Sequence, residues 1–301
     1  MSETSESLRH KLDTAAELGS VVRTMKALAA SSITQCERAV HSLDDYYRTV
    51  ELGLVAWLHQ AGAKVPVVAA TRARTGAIGA VVFGSDQGLV GQFNEGLADF
   101  VVGTLRTMPG DKKILAVGER VHGHLANAAA PVAGNFPVPN SISAITPLVG
   151  HLLVNIDAQR ERGEVEEVYL FHNRPKPGAV YESVVQRLLP LDDAWRRRLG
   201  ELPWPTLNLP EVINRGEPTR QALIREYLFI SLFRACAESL ASENASRLAA
   251  MQRAEKNIDE LLQDLNQTFH RQRQNAIDEE LFDVISGFEA LPQTQLRRAQ
   301  P

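Results

Sequence analysis

The stretch with the most potential for chemistry is Gly84-Ser85-Asp86-Gln87-Gly88-Leu89-Val90-Gly91-Gln92-Phe93-Asn94. Glycines between a strand and a helix can turn free N–H groups at the helix start toward a phosphate. The same glycines equally serve a tight strand-to-helix turn. The loop lacks the Gly-Lys-Ser/Thr ending of a P-loop, and no acid follows a second strand where a ribose would be held. Ser85-Asp86 pairs a nucleophile with a base, but no Gly-x-Ser-x-Gly elbow surrounds them. His122 and His124 could ligate a metal from a strand, yet no third ligand lies nearby. Glu279-Glu280 and Asp283 read as a solvated helix face rather than paired catalytic carboxylates. Cys36 and Cys236 fit neither a disulfide framework nor zinc spacing, and they suit a reducing compartment. No catalytic constellation emerges, and no cofactor or metal is implied.

What would position these residues is written in the distribution of helix breakers. Of 15 prolines, 13 fall between Pro66 and Pro218, with 16 of the 20 glycines. Residues 1–65 hold no proline, and residues 219–291 hold neither breaker except Gly287. Both flanks therefore read as single helices far longer than the usual 11–12 residues. In the first, Leu8, Ala15, Val22, Ala29, Cys36, Leu43, Val50 and Trp57 recur every seventh residue. A second row through Leu12, Leu18, Met25, Ile33, Val40, Tyr47 and Leu54 drifts between the third and fourth offsets. In the last flank one row runs Leu223, Ile230, Ala237, Met251, Ile258, Leu265, broken by Asn244. Its companion runs Tyr227, Ala241, Leu248, Leu262, Phe269, Ala276. Such rows predict two helices packed as an antiparallel coiled coil. At 1.5 Å per residue they would be roughly 80–90 and 110 Å long, so the last helix needs a further partner for its surplus. In that register Cys36 and Cys236 stand roughly 13 Å apart along the axis and stay free thiols.

The middle reads as α/β. Strands are expected at 78–83, 113–118, 167–172 and 179–189, the last two joined through Pro175-Lys176-Pro177-Gly178. Helices are expected near 94–107, 119–128 and 144–162. This alternation predicts a mainly parallel, Rossmann-like sheet covered on both faces. A proline-rich connector, 202–210, leads to the last helix. The expected division is therefore 1–65 as a first coiled-coil helix, 66–218 as an α/β domain, 219–291 as the last helix and 292–301 as a flexible tail. Net charge is -4, without the basic excess of a free-standing nucleic-acid binder. No run of apolar residues is long enough to span a membrane, and the polar start MSETSESLRHK does not read as a signal peptide.

Three stretches together resemble the gamma subunit of F-type ATP synthases. They are Leu8-Arg9-His10-Lys11-Leu12 with Met25 to Ser31; the loop at 84–94; and Glu243 to Met251 continued by Arg271 to Ile277 and Asp278 to Gly287. The resemblance implies a non-catalytic rotor stalk. Its coiled coil enters a hexamer of three alpha and three beta subunits, and its α/β foot meets the epsilon subunit and the membrane rotor ring. Rotation would couple ion flow to ATP synthesis or hydrolysis on the beta subunits and help regulate the ATPase activity. It also implies partner-binding positions at Arg9, Lys11, Arg23, Met25, Lys26, Arg247, Arg273, Asp278, Glu279 and Glu280, and a place on the cytoplasmic face of a bacterial plasma membrane. Asp278-Glu279-Glu280 replaces the family's Thr-Gln-Glu, Ser32 stands where a Lys is usual, and Lys26 where an acid is frequent. These departures suggest a divergent, alternate bacterial ATPase. Two other readings stay open: a phosphate- or small-molecule-binding α/β protein, and a self-associating coiled-coil tether.

Overall fold

A computed structural model describes residues 5–61, 77–208 and 217–289. The expected tail at 292–301 and the ends of the two long flanks at 62–65 and 290–291 lie outside the described residues, as does the end of the proline-rich connector. The chain forms two compact units, Ala27–Ala250 and a smaller one made from Met1–Lys26 with Met251–Pro301. Two long helices contribute to both: α1 (Ser5–Ala61) and α6 (Glu217–Glu289).

The larger unit holds a five-stranded sheet of order β3-β2-β1-β4-β5. Its strands are β1 (Ile78–Phe83), β2 (Lys112–Val117), β3 (Val132–Phe136), β4 (Glu167–Lys176) and β5 (Ala179–Leu189). The first four run parallel, and β5 closes one edge antiparallel to β4. Its helices are α2 (Phe93–Thr107), α3 (Glu119–Asn127), α4 (Ile145–Glu161) and α5 (Asp193–Gly200). β1 is central and its six residues are all buried, so its side chains feed two cores in alternation. Ile78, Ala80 and Val82 meet Leu97 and Val101 of α2 and Val121 and Leu125 of α3. Val81 and Phe83 face the other way, into a core with Leu148, Val149 and Leu152 of α4, Leu54 of α1 and Tyr227, Ile230 and Ala237 of α6. The doubly covered α/β sheet is thus as the sequence implies.

Two elements were not foreseen. β3 reads Val-Ala-Gly-Asn-Phe with none of its residues fully buried, so no apolar run announces it. α5 is short and carries three arginines, and it depends on two anchors, Trp195 and Leu199. Asp192 caps it, its carboxylate accepting from the Trp195 N–H at 2.9 Å. His122 and His124 lie on α3, not on a strand, and an offset of two turns them to different sides of the helix.

In both units α1 and α6 pair antiparallel. Within the larger, Arg234 meets Asp44 at 3.1 Å and Leu223 reaches Gly53. Within the smaller, Lys26 meets Glu255 at 2.5 Å and Ile258 lies against Gly19. The seven-residue row from Leu8 to Trp57 is buried or half-buried at every position. The second row differs from expectation. Leu18 is 54% exposed, and the seam passes instead through Leu12, Gly19, Lys26, Ile33, Val40, Tyr47 and Leu54, again every seventh residue. The apparent drift came from reading only apolar residues. Gly19 fills its seam position by close approach of the helices, and Lys26 fills the next by pairing with Glu255, itself a seam residue of α6.

Candidate functional site

Two features of α6 could do work: its end, and the face it turns to the sheet. The end follows from register. Counting back from Lys26 to Ser5 carries the facing residue forward from Glu255 to about residue 276, after which α1 has no more length to offer. Accordingly, every described side chain from Arg273 to Gly287 is exposed. Among them Ile277, Leu281, Val284 and Ile285 recur at helical spacing and are 46–63% exposed, with Phe282 beside them at 67%. An apolar stripe of this kind gains nothing from water, so it marks a contact surface. The unpaired stretch past residue 276 is about 20 Å long.

The sheet-facing side is built from serines. Ser239, Ser242 and Ser246 lie on one face of α6, and all are nearly fully buried. Each hydroxyl donates to a main-chain carbonyl of the α/β fold: Ser239 to Phe83 at 2.8 Å, Ser242 to Asn173 at 3.1 Å, Ser246 to Val90 at 2.6 Å. Asn173 in turn donates through Nδ2 to the Phe93 carbonyl at 3.2 Å and accepts from Ser183 at 2.6 Å. The glycine loop and the serine-bearing stretch of α6, separate signals in the sequence, are therefore two sides of one clasp.

Within the loop the side chains of Ser85 and Asp86 are already engaged. The Ser85 N–H donates to Asn94 Oδ1 at 2.9 Å, Asn94 Nδ2 donates to Ser85 Oγ at 2.8 Å, and Ser85 Oγ donates to the Gln87 carbonyl. Both Asp86 oxygens accept main-chain N–H groups, from Glu119 and Val138, each at 2.9 Å. The start of α3 thus receives its negative charge from Asp86. Gly84 and Gly118 are forced by packing. A Cβ on Gly84 would fall 2.3 Å from Val121, and one on Gly118, at φ +117°, would meet the Ser85 main chain at 2.8 Å. The loop is a turn that locks strand, helix and α6 together, and no side chain in it is poised as nucleophile or base.

The remaining residues sort by surroundings. Arg9, Lys11, Arg23, Arg273, Asp278, Glu279 and Glu280 are exposed, and Met25 is half-buried. Lys26 spends its charge on Glu255. Arg247 is held at 2.6 Å by Glu243, whose carboxyl is raised above the ordinary value by burial despite that partner. Cys36 and Cys236 are buried free thiols, both pushed up chiefly by burial, Cys36 to about 11. Among the described residues no three His, Cys, Asp or Glu side chains are grouped to hold a metal.

A family model described as ATP synthase matches residues 4–291. The chain belongs to the gamma family of ATP synthase. Gamma chains of Methylibium petroleiphilum and Salinibacter ruber are similar to it, at 28% identity over 291 residues and 27% over 304. The alignments cover 94% and 95% of this chain and 98% of each relative. Among solved structures, a chain of the Euglena gracilis mitochondrial ATP synthase in its OSCP/F1/c-ring assembly shares the fold, with a TM-score of 0.63 at 15% identity, covering 95% of this chain and 94% of that one. A chain of the Tetrahymena thermophila central stalk and c-ring gives 0.55 at 19%, covering 78% and 99%. As a gamma chain it is a non-catalytic subunit forming the central stalk of a membrane-bound ATP synthase. No described helix is long and apolar enough to cross a membrane.

Proposed function

We propose that this gamma chain turns inside a ring of three alpha and three beta subunits, with the exposed end of α6 as its bearing surface. The observation that carries this is the stripe Ile277, Leu281, Val284 and Ile285, apolar at helical spacing yet uncovered by α1. An apolar sleeve formed by the ring satisfies it without fixing a rotational register, because dispersion and hydrophobic contact are non-directional. Around it, Arg273 and the acidic run Asp278-Glu279-Glu280 supply polar contacts to the ring, as do Arg9, Lys11 and Arg23 on α1. Met25 and Lys26 lie at the level of the beta-subunit lever. There the Lys26–Glu255 pair holds the two helices together while Met25 offers the contact. Arg247, tied to Glu243, stiffens the shaft more than it reaches outward.

The α/β fold, residues 66–218 in the sequence division, forms the foot that meets the epsilon subunit and the membrane ring on the cytoplasmic face of a bacterial plasma membrane. An asymmetric shaft presents a different side to each beta subunit in turn and so biases three binding equilibria in sequence. The test is truncation after Glu280 in the assembled enzyme. Expected are near-normal assembly and ATP hydrolysis, with ion pumping per ATP hydrolysed reduced. Unchanged pumping per ATP would remove the bearing role from the tip, and loss of all assembly would assign it to holding the complex together.

A further inference from the structure

The larger unit contains a cavity of about 600 Å³ between β5, α5 and the middle of α6, with Tyr47 of α1 at its wall. That volume lies in the range of small-molecule sites. Its charged lining is lopsided: Arg174, Arg187, Arg198 and Arg234 against the single carboxylate Glu238. Three of these guanidiniums are held from one side. Arg174 meets Glu182 at 2.7 Å, Arg187 meets Asp192 at 2.6 Å, and Arg234 meets Glu238 at 2.8 Å and Asp44 at 3.1 Å. Arg198 makes no hydrogen bond or ion pair among the described residues, although its charge is felt by Glu51 on α1. A guanidinium carries five N–H donors, so all four keep donors to spare.

Two buried polar atoms of the lining also lack partners. Of the four such atoms among the described residues, His172 Nδ1 and Trp195 Nε1 belong to this one cavity. Both residues are about 95% buried, at 4% and 5% exposure. Burying such a group unmatched is costly, so two beside one void point to something else that satisfies them. Arginine suits phosphoryl oxygens because its planar fork bonds two at once. A monovalent carboxylate would use little of a lining with four guanidiniums, whereas a phosphoryl or pyrophosphoryl group carries charge and oxygens enough to engage several. Tyr47 and Trp195 offer aromatic surface beside them.

We propose that this cavity binds a small phosphorylated anion, gripped by Arg198 and Arg234, with the Trp195 indole N–H donating to it. Bound there, the ligand bridges β5, α5 and α6 and stiffens the foot against the shaft helix. The site lies outside every role assigned above to the shaft, its tip and the serine clasp.

The test is calorimetric titration of the full chain with inorganic pyrophosphate and, separately, with ADP, both without magnesium and at fixed ionic strength. The expected result is one saturable site for pyrophosphate and a tenfold or greater loss of affinity in Arg198→Ala. Arg198 is exposed and makes no hydrogen bond or ion pair among the described residues, so the ligand-free variant should melt as the natural chain does, which separates loss of the site from loss of the fold. Tighter binding of ADP than of pyrophosphate would add the aromatic wall to the site. No saturable heat with either probe, or affinity unchanged in Arg198→Ala, would overturn the proposal.

Discussion

The clasp between α6 and the sheet makes a quantitative prediction. Replacing Ser239, Ser242 and Ser246 together by alanine removes three buried donors while leaving helix and shape almost intact. A buried carbonyl left unmatched costs about 1–3 kcal/mol. The low end applies at Val90, because its carbonyl still accepts the Phe93 N–H at 3.3 Å. Against this, alanine is favoured over serine in a helix by up to about 0.5 kcal/mol per site. Taking roughly 1.5, 1.5 and 1 for the three bonds and returning the helix gain, the triple variant should lose about 2–3 kcal/mol. The assay is urea unfolding followed by tryptophan fluorescence, since Trp57 and Trp195 are both buried. Ser286→Ala, on the exposed end of the same helix, is the control and should leave the midpoint unmoved or slightly raised. In the assembled enzyme the triple variant should hydrolyse ATP but pump fewer ions per ATP, because the foot would no longer follow α6 rigidly. An unfolding midpoint equal to the natural chain's, or an equal effect from Ser286→Ala, would show that these three bonds do not hold α6 to the sheet.

Two further outcomes follow from the same geometry. Gly118→Ala places a Cβ 2.8 Å from main-chain atoms of Ser85 at a φ of +117°. It should cost about 3 kcal/mol or more, and an unfolding free energy within about 0.5 kcal/mol of the natural chain's would contradict it. Glu238 concerns pH. Burial alone would raise its carboxyl, but hydrogen bonds from His172 and Arg234 outweigh burial and hold it below the ordinary value of 4.5. A depressed folded value contributes stability that is present above the unfolded value and is lost as pH falls through the folded one. The natural chain should therefore weaken as pH drops below about 4.5, and Glu238→Gln should show a flatter acid limb in urea midpoints between pH 7 and 3. Equal slopes for the two would exclude this carboxylate as the cause.

Much of this was legible in the sequence because long helices and buried strands leave strong periodic traces. The heptad row from Leu8 to Trp57 and the apolar run Ile78 to Phe83 each identify an element and its buried side at once. The second heptad row misled at Leu18, since hydrophobicity alone cannot show that a glycine and a paired lysine hold seam positions. β3 and α5 escaped for the complementary reason, one lacking an apolar run and the other crowded with arginines around two anchors. The clasp was hidden differently. Ser239, Ser242 and Ser246 look like unremarkable polar residues of a helix, and only the fold brings them to the carbonyls of Phe83, Asn173 and Val90, some 70–160 residues away in the chain. His172 and Glu238 meet across 66 residues for the same reason.

The central claim, that this chain is the shaft at the centre of a rotary ATP synthase, is tested most directly by tagging it at the N-terminus in its own organism. The complex would be purified in mild detergent and its subunits counted by quantitative mass spectrometry. Alpha and beta subunits are expected at about three each per copy of this chain, together with epsilon and the membrane ring. Recovery of the chain alone, or as a homodimer, would contradict it.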